Sequence, residues 1–461
     1  MTNPGECHYF IAFFMKVLVL GSGGREHALA WKLRESQLTD DIYCAPGNAG
    51  IAQEAECLPT DLSNPEAILE LANQLRPDLT VVGPEGPLAA GVVDVFEKAG
   101  LGILGPTRAA ASFESSKAFA KEFMQRQHIP TARFRVVNNL EAAVRALDEF
   151  ALPTVIKADG LAAGKGVVVA HTREEAERTI EDFMRYRTLG SAGDKVVIEE
   201  RLMGEEVSFI VLTDGQAVLT LPPSQDHKAL WDGDRGPNTG GMGACSDDSM
   251  ITASLRSEIL RRIVNPTLAG MTAEGIAYRG FLYFGLMVTK EGPMLLEYNV
   301  RLGDPEAQAI LVRLRSDLVQ LLVSAREGSL AARDPHWSPS PAVCVVLASP
   351  GYPSKLELGK LITGYDLAEQ LGGVKVFHAG TAVQDHRLVT TGGRVLGVTA
   401  MGENLPAAVQ RAYSAVAKIQ FEGMHYRRDI GSKLMRQGSS LAANQGPIEM
   451  RSEHQDSPKY C

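Results

Sequence analysis

The interpretation of the fold rests on one segment, Thr154-Val-Ile-Lys-Ala-Asp-Gly-Leu-Ala-Ala-Gly-Lys-Gly-Val-Val-Val-Ala170. It sets nine loop-type residues between two runs rich in β-branched residues, which predicts a glycine-rich β-hairpin. It only superficially resembles a Walker A loop, because its glycines are one residue too close and Gly166 replaces the magnesium-binding Ser or Thr. Such a hairpin can fold over a triphosphate, with backbone N–H groups of Gly164 and Gly166 donating to phosphate and Lys157 and Lys165 meeting its charge. The alternative is a flexible, exposed hairpin.

Towards the N-terminus, the segment 16–33 predicts a strand, a glycine loop and a helix, which is how a doubly wound unit begins. The loop, Gly21-Ser-Gly-Gly24, precedes the helix and is a potential anion site. A dinucleotide site would need an acidic residue after the second strand, but Pro46-Gly-Asn48 stands there. We therefore favour a phosphorylated small molecule, with a plain tight turn as the alternative. Gly83-Pro-Glu85 follows another short strand and is expected at the same edge of the sheet.

Towards the C-terminus, the glycine-rich segment 226–244 interleaves carboxylates, bases and small residues in what we predict to be one long loop. Long loops are usually functional or disordered. The polar residues Asp226, Lys228, Asp232, Asn238 and Thr239 suit a polar substrate better than a core.

A carboxylate-bearing strand follows at Met294-Leu-Leu-Glu-Tyr-Asn-Val-Arg301. Because side chains alternate along a strand, Glu297, Asn299 and Arg301 share one face. Glu297 and Asn299 offer the oxygen ligands that Mg²⁺ takes when it bridges ATP phosphates, and Arg301 could neutralise charge on the transferred phosphoryl group. The Gly-Asp-Pro-Glu sequence that follows, with Asp304, favours this metal site over a solvated face with an ion pair.

Composition and charge limit the classes of protein to which the chain can belong. Apolar residues make up 45% and charged residues 22%, as in an α/β globular protein of several domains. A net charge of -9 and the lack of a Lys/Arg block argue against a nucleic-acid partner. Six dispersed cysteines form no CxxC pair, which indicates the reducing cytoplasm, and the apolar run at 9–20 is too short and interrupted for a membrane anchor.

These motifs together resemble the ATP-grasp ligases, and within them the branch that couples glycine to 5-phosphoribosylamine in purine synthesis. The resemblance runs from residue 15 to about residue 431. It implies an N-terminal doubly wound (Rossmann-like) domain, a small ATP lid, a central α+β grasp domain and a C-terminal α/β domain. We place them at 15–115, 116–195, 196–332 and 333–431, with an extension at 1–14 and a tail at 432–461 that we expect to be disordered.

The resemblance also implies roles for individual residues. ATP phosphates would contact Lys117, Lys157, Lys165 and the backbone of Gly164 and Gly166; adenine and ribose would lie near Glu199, Glu200, Leu202 and Glu206. Magnesium, with manganese as a possible substitute, would bind Glu297 and Asn299, while Arg301, Lys157 and Asp304 would act in catalysis. Phosphoribosylamine would lie against Gly23, Asn48 and Glu85, with Asp226, Lys228, Asn238, Thr239 and Gly240 closing the site. The resemblance implies glycyl phosphate formation followed by amide formation, in a monomer or homodimer.

Two departures from the family pattern, and one difference from some other ATP-grasp enzymes, bear on the site. Cys245-Ser-Asp247 replaces an aromatic-Ser-Pro sequence, Ala229 replaces an Arg after Lys228, and Phe284-Gly-Leu-Met287 offers no further carboxylate for a second metal ion. The rival interpretations are a carboxylase or formate-using ligase of the same fold, and a non-catalytic ATP-dependent binding protein.

Overall fold

The computed structural model describes residues 14–162 and 165–436. Its N-terminal part is a five-stranded parallel sheet in the order β3-β2-β1-β4-β5, with helices connecting the strands. The predicted doubly wound domain is therefore confirmed. The elements are β1 (Met15–Gly21), α1 (Gly24–Arg34), β2 (Thr39–Pro46), β3 (Glu56–Cys57), α2 (Pro65–Leu75), β4 (Leu79–Val82), α3 (Glu85–Ala90), α4 (Val92–Lys98), β5 (Ile103–Leu104) and α5 (Arg108–Ser115).

The next part is a small four-stranded sheet in the order β6-β9-β7-β8, in which the predicted hairpin is β7 and β8. Its last strand, β9, pairs with both β6 and β7, so residues 196–200 belong to this sheet. The boundary that we predicted at 195/196 is wrong by one strand. The elements are α6 (Lys117–Arg126), β6 (Phe134–Val137), α7 (Leu140–Ala146), β7 (Thr154–Ala158), β8 (Val167–Ala170), α8 (Arg173–Ile180) and β9 (Val196–Glu200).

The central part contains a long antiparallel hairpin and several short strands. The segment 226–244, which we predicted as one long loop, instead contributes strands to the sheet and a two-stranded ribbon. The elements are β10 (Glu205–Thr213), β11 (Val218–Thr220), β12 (Ser224–Asp226), β13 (Ala229–Trp231), β14 (Arg235–Asn238), β15 (Gly243–Ser246), α9 (Ala253–Ile259), α10 (Asn265–Ala273), β16 (Gly280–Thr289), β17 (Gly292–Asn299), α11 (Glu306–Leu311) and α12 (Leu318–Glu327).

The C-terminal part continues the same sheet, because β18 pairs antiparallel with β15. The Pro-rich segment after residue 332 therefore does not separate two sheets; the main path is β17-β16-β10-β12-β15-β18-β22-β19. The elements are β18 (Ala342–Ala348), α13 (Tyr365–Glu369), β19 (Val374–His378), β20 (Thr381–Gln384), β21 (Arg387–Thr390), β22 (Arg394–Met401) and α14 (Leu405–Val416).

The predicted disorder at the chain ends can be compared with the structure only where residues are described. Residues 432–436, predicted as part of a disordered tail, are helical, and Leu434 and Met435 pack against the C-terminal core. Residues 1–13 and 437–461 lie outside the described part. Within the described part, every helix falls short of the length and hydrophobicity that a membrane span needs.

One buried core joins the parts of the chain that frame the site. It includes Val17 of β1, Leu29 of α1, Ile310 of α11, Val346 of β18 and Phe377 of β19. Burial of such apolar side chains is the main stabilising contribution to a globular core. The strand ends and helix starts that carry the polar motifs are therefore held on a rigid framework.

Candidate functional site

A cavity of about 910 Å³ lies between the four-stranded sheet and the central sheet. Most of the residues that we predicted for the site line it. These are Lys117, Lys157, Lys165, Gly166, Glu199, Glu200, Leu202, Glu206, Glu85, Asp226, Lys228, Asn238, Thr239, Gly240, Glu297, Asn299, Arg301 and Asp304. Residues from β7, β9, β17 and the 226–244 segment thus meet around one space.

Three predicted residues stand apart. Gly164 lies outside the described residues. Gly23 and Asn48 are absent from the cavity lining. The Asn48 side-chain amide donates to the carbonyls of Ser22 and His378, at 2.9 and 2.8 Å, and its oxygen accepts from two backbone N–H groups. With both donors engaged, Asn48 has a structural explanation that sequence reasoning had not considered.

The carboxylate strand presents its polar face to the cavity. Lys228 Nζ lies 3.1 Å from Glu297 Oε1, and Arg301 donates to Asn299 Oδ1 at 3.2 Å. Lys228 lowers the pKa of Glu297 to about 2 against the opposing effect of burial, and Lys157 and Lys117 add to the shift. Glu297 is therefore ionised throughout the physiological range.

Glu297 and Asn299 would supply two of the oxygen ligands that a magnesium ion prefers. Mg²⁺ prefers oxygen ligands and is often held by one or two carboxylates together with substrate phosphates. Among the described residues there is no cluster of three or more His, Cys, Asp or Glu that could hold a metal alone. The donor set present is one ionised carboxylate and one amide oxygen, which suits a cation bound jointly with ATP.

Arg301 is clamped by two carboxylates from the N-terminal part. Its guanidinium lies 2.7 Å from Glu114 Oε1 and 3.2 Å from Glu85 Oε2. Burial would raise the pKa of Glu85, but Arg301 and Arg25 lower it to about 2. Burial raises the pKa of Glu114 to about 7 despite Arg301. The two carboxylates fix the guanidinium at the edge of the cavity, where it can meet an anion.

The hairpin side of the cavity carries the lysines. Lys157 forms an ion pair with Glu199, which is only 2% exposed, and Lys117 donates to the Gly160 carbonyl at 3.1 Å. Burial lowers the pKa of Lys117. Both Lys117 and Lys157 lie close enough to Glu297 to help lower the pKa of its carboxyl group. Leu202, Met203 and Met287 line the cavity nearby and supply apolar surface for a ring.

The 226–244 segment closes the opposite end. Thr239 Oγ donates to the Lys228 carbonyl at 2.8 Å, and Arg394 donates to the carbonyls of Gly240 and Asp304, each at 2.6 Å. The Asp304 carboxylate also pairs with Arg394 at 3.1 Å. Burial, together with nearby Glu306, raises the pKa of Asp226 well above its usual range. This end is polar and crowded, as expected for a small polar substrate.

Sequence reasoning missed several residues of the lining, including Lys121, Glu114, Arg25 and Arg394. Lys121 had a usable signal, since it stands four residues after Lys117 and so lies on the same face of α6. Arg394 had none, because it lies far along the chain in β22 and reaches the site through the tertiary fold.

Comparison with known proteins gives consistent matches along the chain. The N domain of phosphoribosylglycinamide synthetase matches residues 15–114, its ATP-grasp (A) domain matches 115–307 and its C domain matches 342–433. A phosphoribosylamine–glycine ligase from Pseudomonas aeruginosa is 51% identical over 420 residues, which is 90% of this chain and 97% of that protein.

Solved structures agree. A phosphoribosylamine–glycine ligase from Thermotoga maritima has a TM-score of 0.77 and 36% identity, and the alignment covers 90% of this chain and 99% of that one. The biotin carboxylase domain of 2-oxoglutarate carboxylase from Hydrogenobacter thermophilus, solved with MgADP, has a TM-score of 0.68 and 18% identity over 90% of this chain and 92% of that one. The second likeness is one of fold alone.

Proposed function

The chain belongs to the phosphoribosylglycinamide synthetase family, and from this premise we propose that it joins glycine to 5-phosphoribosylamine at the expense of ATP. The products are glycinamide ribonucleotide, ADP and phosphate, in the synthesis of purines. The ATP-grasp fold and the ligase activity predicted from the sequence are confirmed. The observation in the structure that carries the assignment is the single cavity that brings Lys157, Glu297, Arg301 and the 226–244 segment together.

The reaction has two steps. A glycine carboxylate oxygen attacks the γ-phosphorus of ATP, the bond to the ADP oxygen breaks, and glycyl phosphate forms. The ribosylamine nitrogen then attacks the glycyl carbonyl carbon, phosphate leaves, and the nitrogen loses a proton as the amide forms. The first step is needed because a free carboxylate is a poor acyl donor. No side-chain nucleophile takes part, so the protein acts by positioning and by offsetting charge.

The phosphate end of ATP is assigned to the hairpin side of the cavity. Lys117, Lys157 and Lys165 supply positive charge, and the backbone near Gly164 and Gly166 supplies N–H donors. Arg301, held by Glu85 and Glu114, meets charge on the transferred phosphoryl group. Asp304 acts with it by holding Arg394 at the substrate end.

Glu297 and Asn299 would hold the divalent cation of this site. A bound Mg²⁺ supplies charge neutralisation of the β- and γ-phosphates, and Mn²⁺ could replace it because it accepts the same oxygen ligands. Lys228 keeps Glu297 ionised and ready to bind a cation.

The remaining residues are assigned by the resemblance of their motifs to those of the family. We assign Glu199, Glu200, Leu202 and Glu206 to the adenosine, with Glu199 at the junction with the phosphates because it pairs with Lys157. We assign Glu85, Asp226, Lys228, Asn238, Thr239 and Gly240, which line the same cavity, to glycine and the ribosylamine. Gly23 and Asn48 would support that end indirectly, by shaping the adjoining loops. Closure of the small sheet over ATP would exclude the water that hydrolyses glycyl phosphate.

The proposal places the enzyme in the cytoplasm as a monomer or homodimer. The four described cysteines are all free thiols, which fits a reducing compartment.

The test is phosphate release by the purified protein with magnesium-ATP, glycine and freshly made phosphoribosylamine, with each component omitted in turn and the product identified by mass. We expect release only with all components, together with glycinamide ribonucleotide. Turnover with a different acceptor would reassign the substrate to that of a sister ligase, and a lack of turnover under every combination would favour the non-catalytic binding protein.

A further inference from the structure

Three buried charged groups form a chain behind the phosphate end of the cavity. Glu199 of β9 lies between two ammonium groups: Lys157 of β7 on one carboxylate oxygen and Lys121 of α6 on the other, at 2.5 Å. Lys121 and Glu199 are each only 2% exposed. We call these three residues the Lys-Glu-Lys triad. Lys121 is part of the cavity lining but has no role in the function proposed above.

The far side of Lys121 is anchored to the central sheet. Its ammonium donates to Thr131 Oγ1 at 2.7 Å, and that hydroxyl donates to the Leu295 carbonyl at 2.6 Å. Leu295 belongs to β17, the strand that carries Glu297. Lys121 is therefore fixed in place, whereas Lys157, within the described part of the chain, has besides Glu199 a long 3.4 Å contact with the Leu296 carbonyl.

The charges of the triad explain why a second lysine is needed. An isolated Lys157–Glu199 pair would be neutral, and Lys157 could turn to a phosphate only by leaving a buried carboxylate without a partner. A buried charge that loses its partner is strongly unfavourable. With Lys121 present, the triad has a net charge of +1, and Glu199 keeps one cation when Lys157 moves. Burial lowers the pKa of Lys121 to about 8, so it is largely protonated at neutral pH.

We propose that Lys121 is a positioning residue that retains Glu199, so that Lys157 is free to bind the nucleotide phosphates. The inference rests on the proposed function, since it assigns the phosphates to the Lys157 side of the cavity. It concerns nucleotide binding alone, and is independent of the identity of the carboxylate and amine substrates.

The experiment measures the affinity of the full-length protein for MgADP by calorimetry in wild type, Lys121→Met, Glu199→Gln and the double variant. We expect Lys121→Met to raise the Kd at least about tenfold, as loss of a charged phosphate contact does. In the Glu199→Gln background the same substitution should change the Kd less than about threefold, because no carboxylate remains to trap Lys157. In turnover, Lys121→Met should raise KM for ATP and leave KM for glycine unchanged.

Two further variants make the result decisive. Lys32→Met removes another buried lysine, which pairs with Glu35 away from the cavity, and should leave the Kd unchanged. Lys121→Gln keeps a donor for Thr131 and replaces Lys121→Met if that variant does not fold. An equal loss of affinity in both Glu199 backgrounds, or no loss at all, would overturn the proposal. Tight MgADP binding without ligation of glycine would instead refute the proposed function and leave the role of Lys121 standing.

Discussion

The charge on Glu297 is the single-residue feature on which the metal assignment depends most. Glu297→Gln keeps the size of the side chain and removes the charge that pairs with Lys228. We expect kcat to fall at least about 100-fold, because a preorganised charge at the transferred phosphoryl group is lost. The measurement is product formation at saturating magnesium-ATP, with circular dichroism to establish that the fold is intact.

A matched control is Glu291→Gln, at the exposed turn of the same β16–β17 hairpin. It should retain wild-type kcat. Full activity of Glu297→Gln would refute the metal assignment.

Individual residues also show the limit of sequence reasoning. The period of two along β17 was enough to place Glu297, Asn299 and Arg301 on one face, and all three line the cavity. This period could not predict which residues pair with these three side chains. Glu114 comes from α5, 187 positions before Arg301, and only the tertiary fold brings the two together. The local pattern thus predicts which groups point together, but not what neutralises them.

At the scale of elements, the glycine-rich hairpin is the part whose geometry should govern ATP binding. A Cβ added to Gly166 would lie 2.8 Å from Ala162 Cβ and 3.4 Å from Ala158 Cβ. We expect Gly166→Ala to shift the loop and raise KM for ATP about fivefold or more, since overpacking of this size amounts to about 1 kcal/mol or more. The measurement is steady-state kinetics with ATP varied, and KM for glycine should not change.

The double variant Gly166→Ala, Ala162→Gly removes the closest clash and should recover most of the ATP affinity. If the double variant is as impaired as Gly166→Ala, the steric explanation is wrong.

Elements with a strong local pattern were predicted well, and those defined by pairing were not. The first strand, glycine loop and helix and the β7–β8 hairpin match their predicted places. β9 was assigned to the wrong sheet, since nothing in Val-Val-Ile-Glu-Glu says that it pairs with β6 and β7. The 226–244 segment has the composition of a loop but pairs as strands, because neighbouring β-structure satisfies its backbone.

At the scale of the whole molecule, the first helix is joined to the C-terminal part by two histidines. The His378 backbone N–H donates to His27 Nδ1 at 2.7 Å, and the rings contact each other with Phe377 beside them. This contact spans 351 positions of the chain and lies next to the Asn48 bond to His378. Sequence patterns could not predict it, because it depends on how α1 packs against β19.

The contact between His27 and His378 predicts how the stability of the folded protein depends on pH. Burial lowers the pKa of His27 well below its usual value, with His378 and Lys375 adding to the effect, and burial lowers the pKa of His378 to about 4. In the unfolded chain both titrate near about 6.5, so below that pH the unfolded state binds more protons and the folded state loses stability. The loss is about 1.4 kcal/mol per pH unit for each histidine.

The variant His27→Gln removes one of these two histidines, so the decline in the urea midpoint between pH 6.5 and pH 5 should be shallower than in wild type. His171→Gln, at an exposed turn, should decline as wild type does. If the urea midpoints of wild type and His27→Gln decline in parallel, protonation of His27 does not weaken the contact between the N- and C-terminal parts.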